Sequence, residues 1–116
     1  MTRRYRLRGT DAFAALFRAG RRFEGKRLQL IAAPATGRVG RVGYIIGSKQ
    51  LKRAIDRNRL RRMLREAIRL RRPGIAAFDV VLRLRRACAP ADVKIVAAEA
   101  AGLLDALDSR FAEVSP

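Results

Sequence analysis

Asn58, Arg62, Arg65 and Arg69 recur at spacings of four, three and four, so a helix running through them places all four on one stripe. At ~1.5 Å rise per residue the stripe is about 16 Å long. Arg61 lies at one margin, with Arg59 and Glu66 at the other. Guanidinium groups bind phosphate through two parallel hydrogen bonds and stack on flat rings, so the chemistry on offer is polyanion binding. Repulsion between neighbours such as Arg61 and Arg65, or Arg65 and Arg69, costs a few tenths of a kcal/mol per pair. Only Asp56 and Glu66 lie close enough in sequence to offset it. A merely solvated helix normally mixes its signs.

Composition points the same way. The 116 residues carry 27 Lys/Arg against 10 Asp/Glu, a net charge of +17. Residues 1–86 hold 25 basic and 5 acidic groups, whereas residues 87–116 hold 2 and 5. Such self-repulsion is tolerated where a polyanion neutralises it. Arginine outnumbers lysine 23 to 4, which suits bidentate phosphate contacts but would also follow from GC-rich codon usage.

Other chemistries are excluded or left without support. There is no histidine, which removes histidine acid–base cleavage and histidine-containing metal sites. The lone Cys88 cannot form an internal disulfide and reads as structural or incidental. No run of about 18 apolar residues exists to span a membrane. Met1–Arg6 is charged and lacks the apolar stretch of a signal peptide, so a cytoplasmic location is expected.

Hydrophobic residues make up 49% of the chain, enough for a core, and the length suits one domain over 1–116. Arg3–Gly9 reads as an extended basic arm. Thr10 or Asp11 can cap a helix with Phe13, Leu16 and Phe17 on its apolar face, ended by Gly20. Arg21–Gly25, Leu28–Ala33 and Arg41–Ile46 read as strands, the last with Val42, Tyr44 and Ile46 alternating against Gly43 and Ile45. Gly47–Arg53 is a basic loop. A helix capped by Asp56 runs to about Arg71 and is stopped by Pro73-Gly74, with Leu60, Met63, Leu64, Ala67 and Ile68 on its apolar side. Phe78–Leu84 is a buried strand. From Pro90–Asp92 a last helix carries Val93, Val96, Leu103, Leu104, Leu107 and Phe111. The order is α-β-β-β-α-β-α, an α+β sandwich.

The segment Lys52-Arg53-Ala54-Ile55-Asp56-Arg57-Asn58-Arg59-Leu60-Arg61-Arg62-Met63-Leu64-Arg65-Glu66 closely resembles the "RNR" signature of the protein subunit of bacterial ribonuclease P. Asp11–Gly20 resembles that family's first helix, Arg41-Val42-Gly43-Tyr44 the strand before its basic loop, and Phe78-Asp79-Val80-Val81 its fourth strand. The resemblance spans about Arg3 to Phe111. It implies a two-layer α/β sandwich whose four-stranded sheet contains a left-handed β-α-β crossover, against the general right-handed rule.

It also implies a division of labour. An RNA molecule using magnesium ions removes the 5′ leader of precursor tRNA. The protein has no catalytic residues, binds no cofactor or metal itself, and needs no obligate protein partner. By resemblance, Lys52, Arg53, Arg57, Asn58, Arg59, Arg61, Arg62, Arg65 and Arg69 meet the catalytic RNA. A cleft between the first helix and the sheet holds the single-stranded leader, with Phe13, Phe17, Ile31, Tyr44, Lys49, Arg85 and Arg86 as its residues. Aromatic faces there would stack unpaired bases. Core packing is the alternative for Phe13 and Phe17, and a solvated strand end for Arg85 and Arg86. Ile31 stands where some members carry an aromatic residue, and Ser48 where a basic one is common. Two rival readings are a ribosomal or RNA-chaperone protein, which has no need of exposed aromatics beside a basic helix, and a self-sufficient nuclease, which would need convergent carboxylates or histidines.

Overall fold

Phe23 alone is buried in its strand, whereas the two central strands carry unbroken buried runs, Leu28–Ala32 and Asp79–Leu82, and with a fourth strand they build one sheet. Its strands are β1 (Arg21–Glu24), β2 (Leu28–Pro34), β3 (Val42–Ile45) and β4 (Phe78–Leu84), arranged in the order β1-β2-β4-β3. The structure, a computed structural model, describes residues 10–37, 40–71 and 74–114, the side chains of 10–13 and 108–114 excepted. The expected N-terminal arm, Pro73, and the side chains of Thr10, Asp11, Phe13 and Phe111 therefore lie outside the described residues.

β1 pairs antiparallel with β2, β2 antiparallel with β4, and β3 parallel with β4. A parallel pair needs a crossover, and the helix α2 (Ala54–Arg69) supplies it between β3 and β4. The helices α1 (Thr10–Ala19) and α3 (Val93–Val114) complete the α+β fold. Short 3-10 turns at Gly74–Ala77 and Pro90–Asp92 precede β4 and α3; the first was not foreseen from the sequence.

Because side chains alternate across a strand, the two faces of the sheet collect different residues. One face meets α2 and α3 in the main core, where Leu30, Val80, Leu82, Leu60, Leu64, Val96 and Leu104 are all fully buried. The other face carries Ile31 and Val81 against Leu16 of α1, with Phe17, Ala33 and Ile45 half-buried around them. Gly20 lets α1 end directly on the sheet. Its N–H donates to the Leu16 carbonyl at 2.7 Å, and a Cβ there would lie 2.6 Å from Ile31 Cγ2.

The start of α2 departs from expectation. Asp56 is not the cap; Arg53 occupies that position, without a side-chain cap, and the helix begins at Ala54. Asp56 is buried in the first turn, where the helix dipole favours an anion, and its Oδ2 accepts from Arg53 Nε at 3.2 Å.

Two carboxylates fasten loops to this frame. Asp79, 6% exposed, accepts from the Arg41 N–H at 2.9 Å and from the Thr36 hydroxyl. Glu99 of α3 accepts from the N–H groups of Arg27 and Leu28 in the β1–β2 turn, at 3.0 and 2.6 Å.

Candidate nucleic-acid interface

The apolar side of α2 is committed to the core through Leu60, Leu64, Ala67 and Ile68, so its arginines are forced outward. Arg59, Arg62 and Arg65 are exposed and have no ion-pair or hydrogen-bond partner among the described residues. Their neighbours are partly occupied. Arg61 Nη1 donates to Asn58 Oδ1 at 3.0 Å. Arg69 Nε donates to Glu66 at 2.9 Å, and that hydrogen bond holds the exposed Glu66 carboxyl below its ordinary range while raising Arg69. Arg57 turns back, donating through Nη1 to the carbonyls of Leu51 and Lys52 at 2.8 and 2.7 Å. It positions the loop that leads into the helix. Lys52 is exposed, and Arg53 keeps most of its surface while paired to Asp56.

Around α1 the expected cleft residues separate. Phe17 is half-buried on the α1 face, with the Arg83 guanidinium 5.8 Å from its ring centroid, within cation–π range. Ile31 lies on that face but is wholly covered by α1, so it forms a floor and offers no surface. Tyr44 is a correction. It pairs in register with Leu82 and packs against the main core on the opposite face. The register places Ile45, beside Arg83, on the α1 face instead. Phe13 cannot be placed, since its side chain lies outside the described residues.

Arg83 was missed from the sequence, although the signal was there. It stands between Leu82 and Leu84, which both enter the main core, so alternation alone sends it to the other face. Lys49, Arg85 and Arg86 are exposed.

Backbone contacts gather these groups at one end of the sheet. The Arg85 N–H donates to the Arg27 carbonyl at 2.8 Å, and the Cys88 N–H to the Gln50 carbonyl at 2.9 Å. The β1–β2 turn, the basic loop before α2 and the end of β4 are thereby joined. Burial pushes the Cys88 thiol up, away from the reactive thiolate. Among the described residues no group of three or more His, Cys, Asp or Glu could hold a metal ion, and no helix is long and apolar enough to cross a membrane.

Comparison with known proteins bears on this arrangement directly. The family model described as Ribonuclease P matches residues 1–108. The ribonuclease P protein component of Nitrosomonas eutropha is 37% identical over 101 residues, covering 85% of this chain and 84% of that protein. Its counterpart in Roseiflexus castenholzii is 43% identical over 86 residues, covering 73% and 70%. Among solved structures, the RNase P protein of Thermotoga maritima superposes with a TM-score of 0.67 at 24% identity, over 90% of this chain and 96% of that one. The Staphylococcus aureus RNase P protein gives 0.69 at 18% identity, over 97% and 98%. Those two likenesses concern the fold, whereas the family match and the sequence relatives fix descent. The chain belongs to the ribonuclease P protein family, and its role lies in ribonuclease P.

Proposed function

We propose that this chain is the accessory protein of a ribonuclease P whose RNA subunit, using magnesium ions, cleaves the 5′ leader from precursor tRNA. The α2 stripe holds the catalytic RNA, and the α1 face holds the single-stranded leader. One observation carries the reading: Arg59, Arg62 and Arg65 stand exposed on one helix with nothing in the described fold to neutralise them. Three uncompensated guanidinium groups on a rigid element suit an array of backbone phosphates. Arg61, Arg69 and Asn58 extend the stripe, Lys52 and Arg53 flank it, and Arg57 holds the approach in place.

On the other face, Phe17 and Arg83 offer a stacking surface for an unpaired base, and Lys49, Arg85 and Arg86 offer phosphate contacts. The chain contains no histidine, and the described residues form no carboxylate cluster able to hold catalytic metal. Both facts support leaving the cleavage chemistry to the RNA.

Reconstitution tests the proposal. Purified protein is mixed with a bacterial ribonuclease P RNA and precursor tRNA, and turnover is followed at low magnesium. The protein should raise cleavage by the RNA and do nothing alone. Absence of any stimulation would remove the accessory role.

A further inference from the structure

Glu24 projects from β1 onto the α1 face, since its neighbour Phe23 enters the main core and successive side chains alternate. Its register partner on β2 is Gln29. The Gln29 Nε2 donates to Glu24 Oε1 at 2.6 Å, and Arg85 Nη1 approaches both Glu24 oxygens at 3.3 Å. These donors differ in kind. Gln29 is only 3% exposed, so its amide is fixed by packing. The Arg85 and Glu24 side chains are half exposed, at 50% and 53%.

A buried amide donor and an exposed guanidinium thus converge on one anion. A phosphodiester asks for the same pair of donors. The surroundings fit a nucleotide as well. Gln29 pairs across the sheet with Arg83, whose guanidinium lies over the Phe17 ring. Gln29 Oε1 is buried with no hydrogen-bond partner among the described residues, so the amide is held to the cluster by its donor side alone.

We infer that Glu24 is a placeholder: its carboxylate fills an anion site made by Gln29 Nε2 and Arg85 that a leader phosphodiester takes over on binding. The inference rests on the assignment of the α1 face to the leader. Exchange is easy, because an exposed ion pair is weak and screened by salt, whereas the arginine–phosphate contact is strong and can be bidentate. Glu24 therefore competes with the substrate. It lowers the affinity of this face for any strand, and only a ligand bringing a phosphate to Arg85 displaces it.

The test uses holoenzyme assembled from this protein and ribonuclease P RNA, with Kd measured for leader-bearing precursor tRNA and for mature tRNA. Glu24→Ala should bind the precursor roughly two- to fivefold more tightly, leave mature tRNA unchanged, and lose its effect when combined with Arg85→Ala. Glu24→Gln keeps side-chain length and hydrogen bonding, guards against a disturbed β1, and should shift Kd in the same direction. Asp105→Asn, which removes an equal charge beside Arg71 on the helical side, should affect both tRNAs alike and less. A precursor affinity that both Glu24 variants leave unchanged, or an increase that survives Arg85→Ala, overturns the inference while the leader assignment stands. A wild-type holoenzyme indifferent to the leader overturns that assignment, and the inference with it.

Discussion

Arg62 and Arg57 are five residues apart on one helix, yet the fold asks different things of them. Arg62 has no partner among the described residues, so Arg62→Glu should leave the circular dichroism melt unchanged. A charged hydrogen bond to RNA contributes about 1.5–3 kcal/mol, so the variant should weaken association with ribonuclease P RNA roughly tenfold to a hundredfold. Arg57 donates to two carbonyls of the preceding loop, and Arg57→Ala should cost about 1 kcal/mol of folding stability, read from denaturant unfolding. Phe17→Ala tests the other face. It should impair leader-bearing substrate much more than mature tRNA, whereas equal losses would mark Phe17 as core. Cys88 is the pH-sensitive case: burial raises its thiol above the ordinary value. The neutral thiol is thus favoured in the folded state. Its contribution is present below the ordinary thiol range and fades as pH climbs through the raised value. Alkylation at pH 8 should accordingly be slow in the native protein and fast in denaturant.

At the scale of elements, how much was legible depended on whether the signal was local. The Phe78–Leu84 strand was read to its ends because a continuous apolar run needs no context. The start of α2 was misplaced because Asp56 has the chemistry of a cap, but serves as a first-turn anion gripping Arg53. Alternation did group Tyr44 with Val42 and Ile46. It could not reveal that this group faces α2 and α3, since the covering helix is a tertiary fact. Ile31 failed likewise, buried because Gly20 lets α1 close on the sheet. Arg57 and Arg69 looked equivalent to Arg62 in sequence, where a guanidinium's partners do not show. Close approaches make the element-scale predictions. A Cβ on Gly40 would sit 1.8 Å from the Phe78 carbonyl oxygen, so Gly40→Ala should destabilise by about 3 kcal/mol in chemical denaturation. Glu99→Ala strips the acceptor from two N–H groups of the β1–β2 turn and should cost about 1–3 kcal/mol.

Across the whole molecule, the charge is divided by segment. The net +17 is concentrated in residues 1–86, which include α2, the basic loop and the end of β4, while α3 packs behind them in the main core. The protein thus carries nearly all of its basic residues outside α3. Its attachment should depend steeply on ionic strength, because each phosphate neutralised releases bound cations. That dependence gives the most direct test of the claim that the free arginines of α2 are the anchor. Affinity for ribonuclease P RNA is measured against salt for the wild type and for Arg59→Ala/Arg62→Ala/Arg65→Ala, both shown folded by circular dichroism. Each lost phosphate contact should flatten the slope of log K against log salt by about 0.7–0.9, so the triple variant should be shallower by about 2–3 units as well as weaker. An unchanged slope and affinity would show that the RNA is held elsewhere.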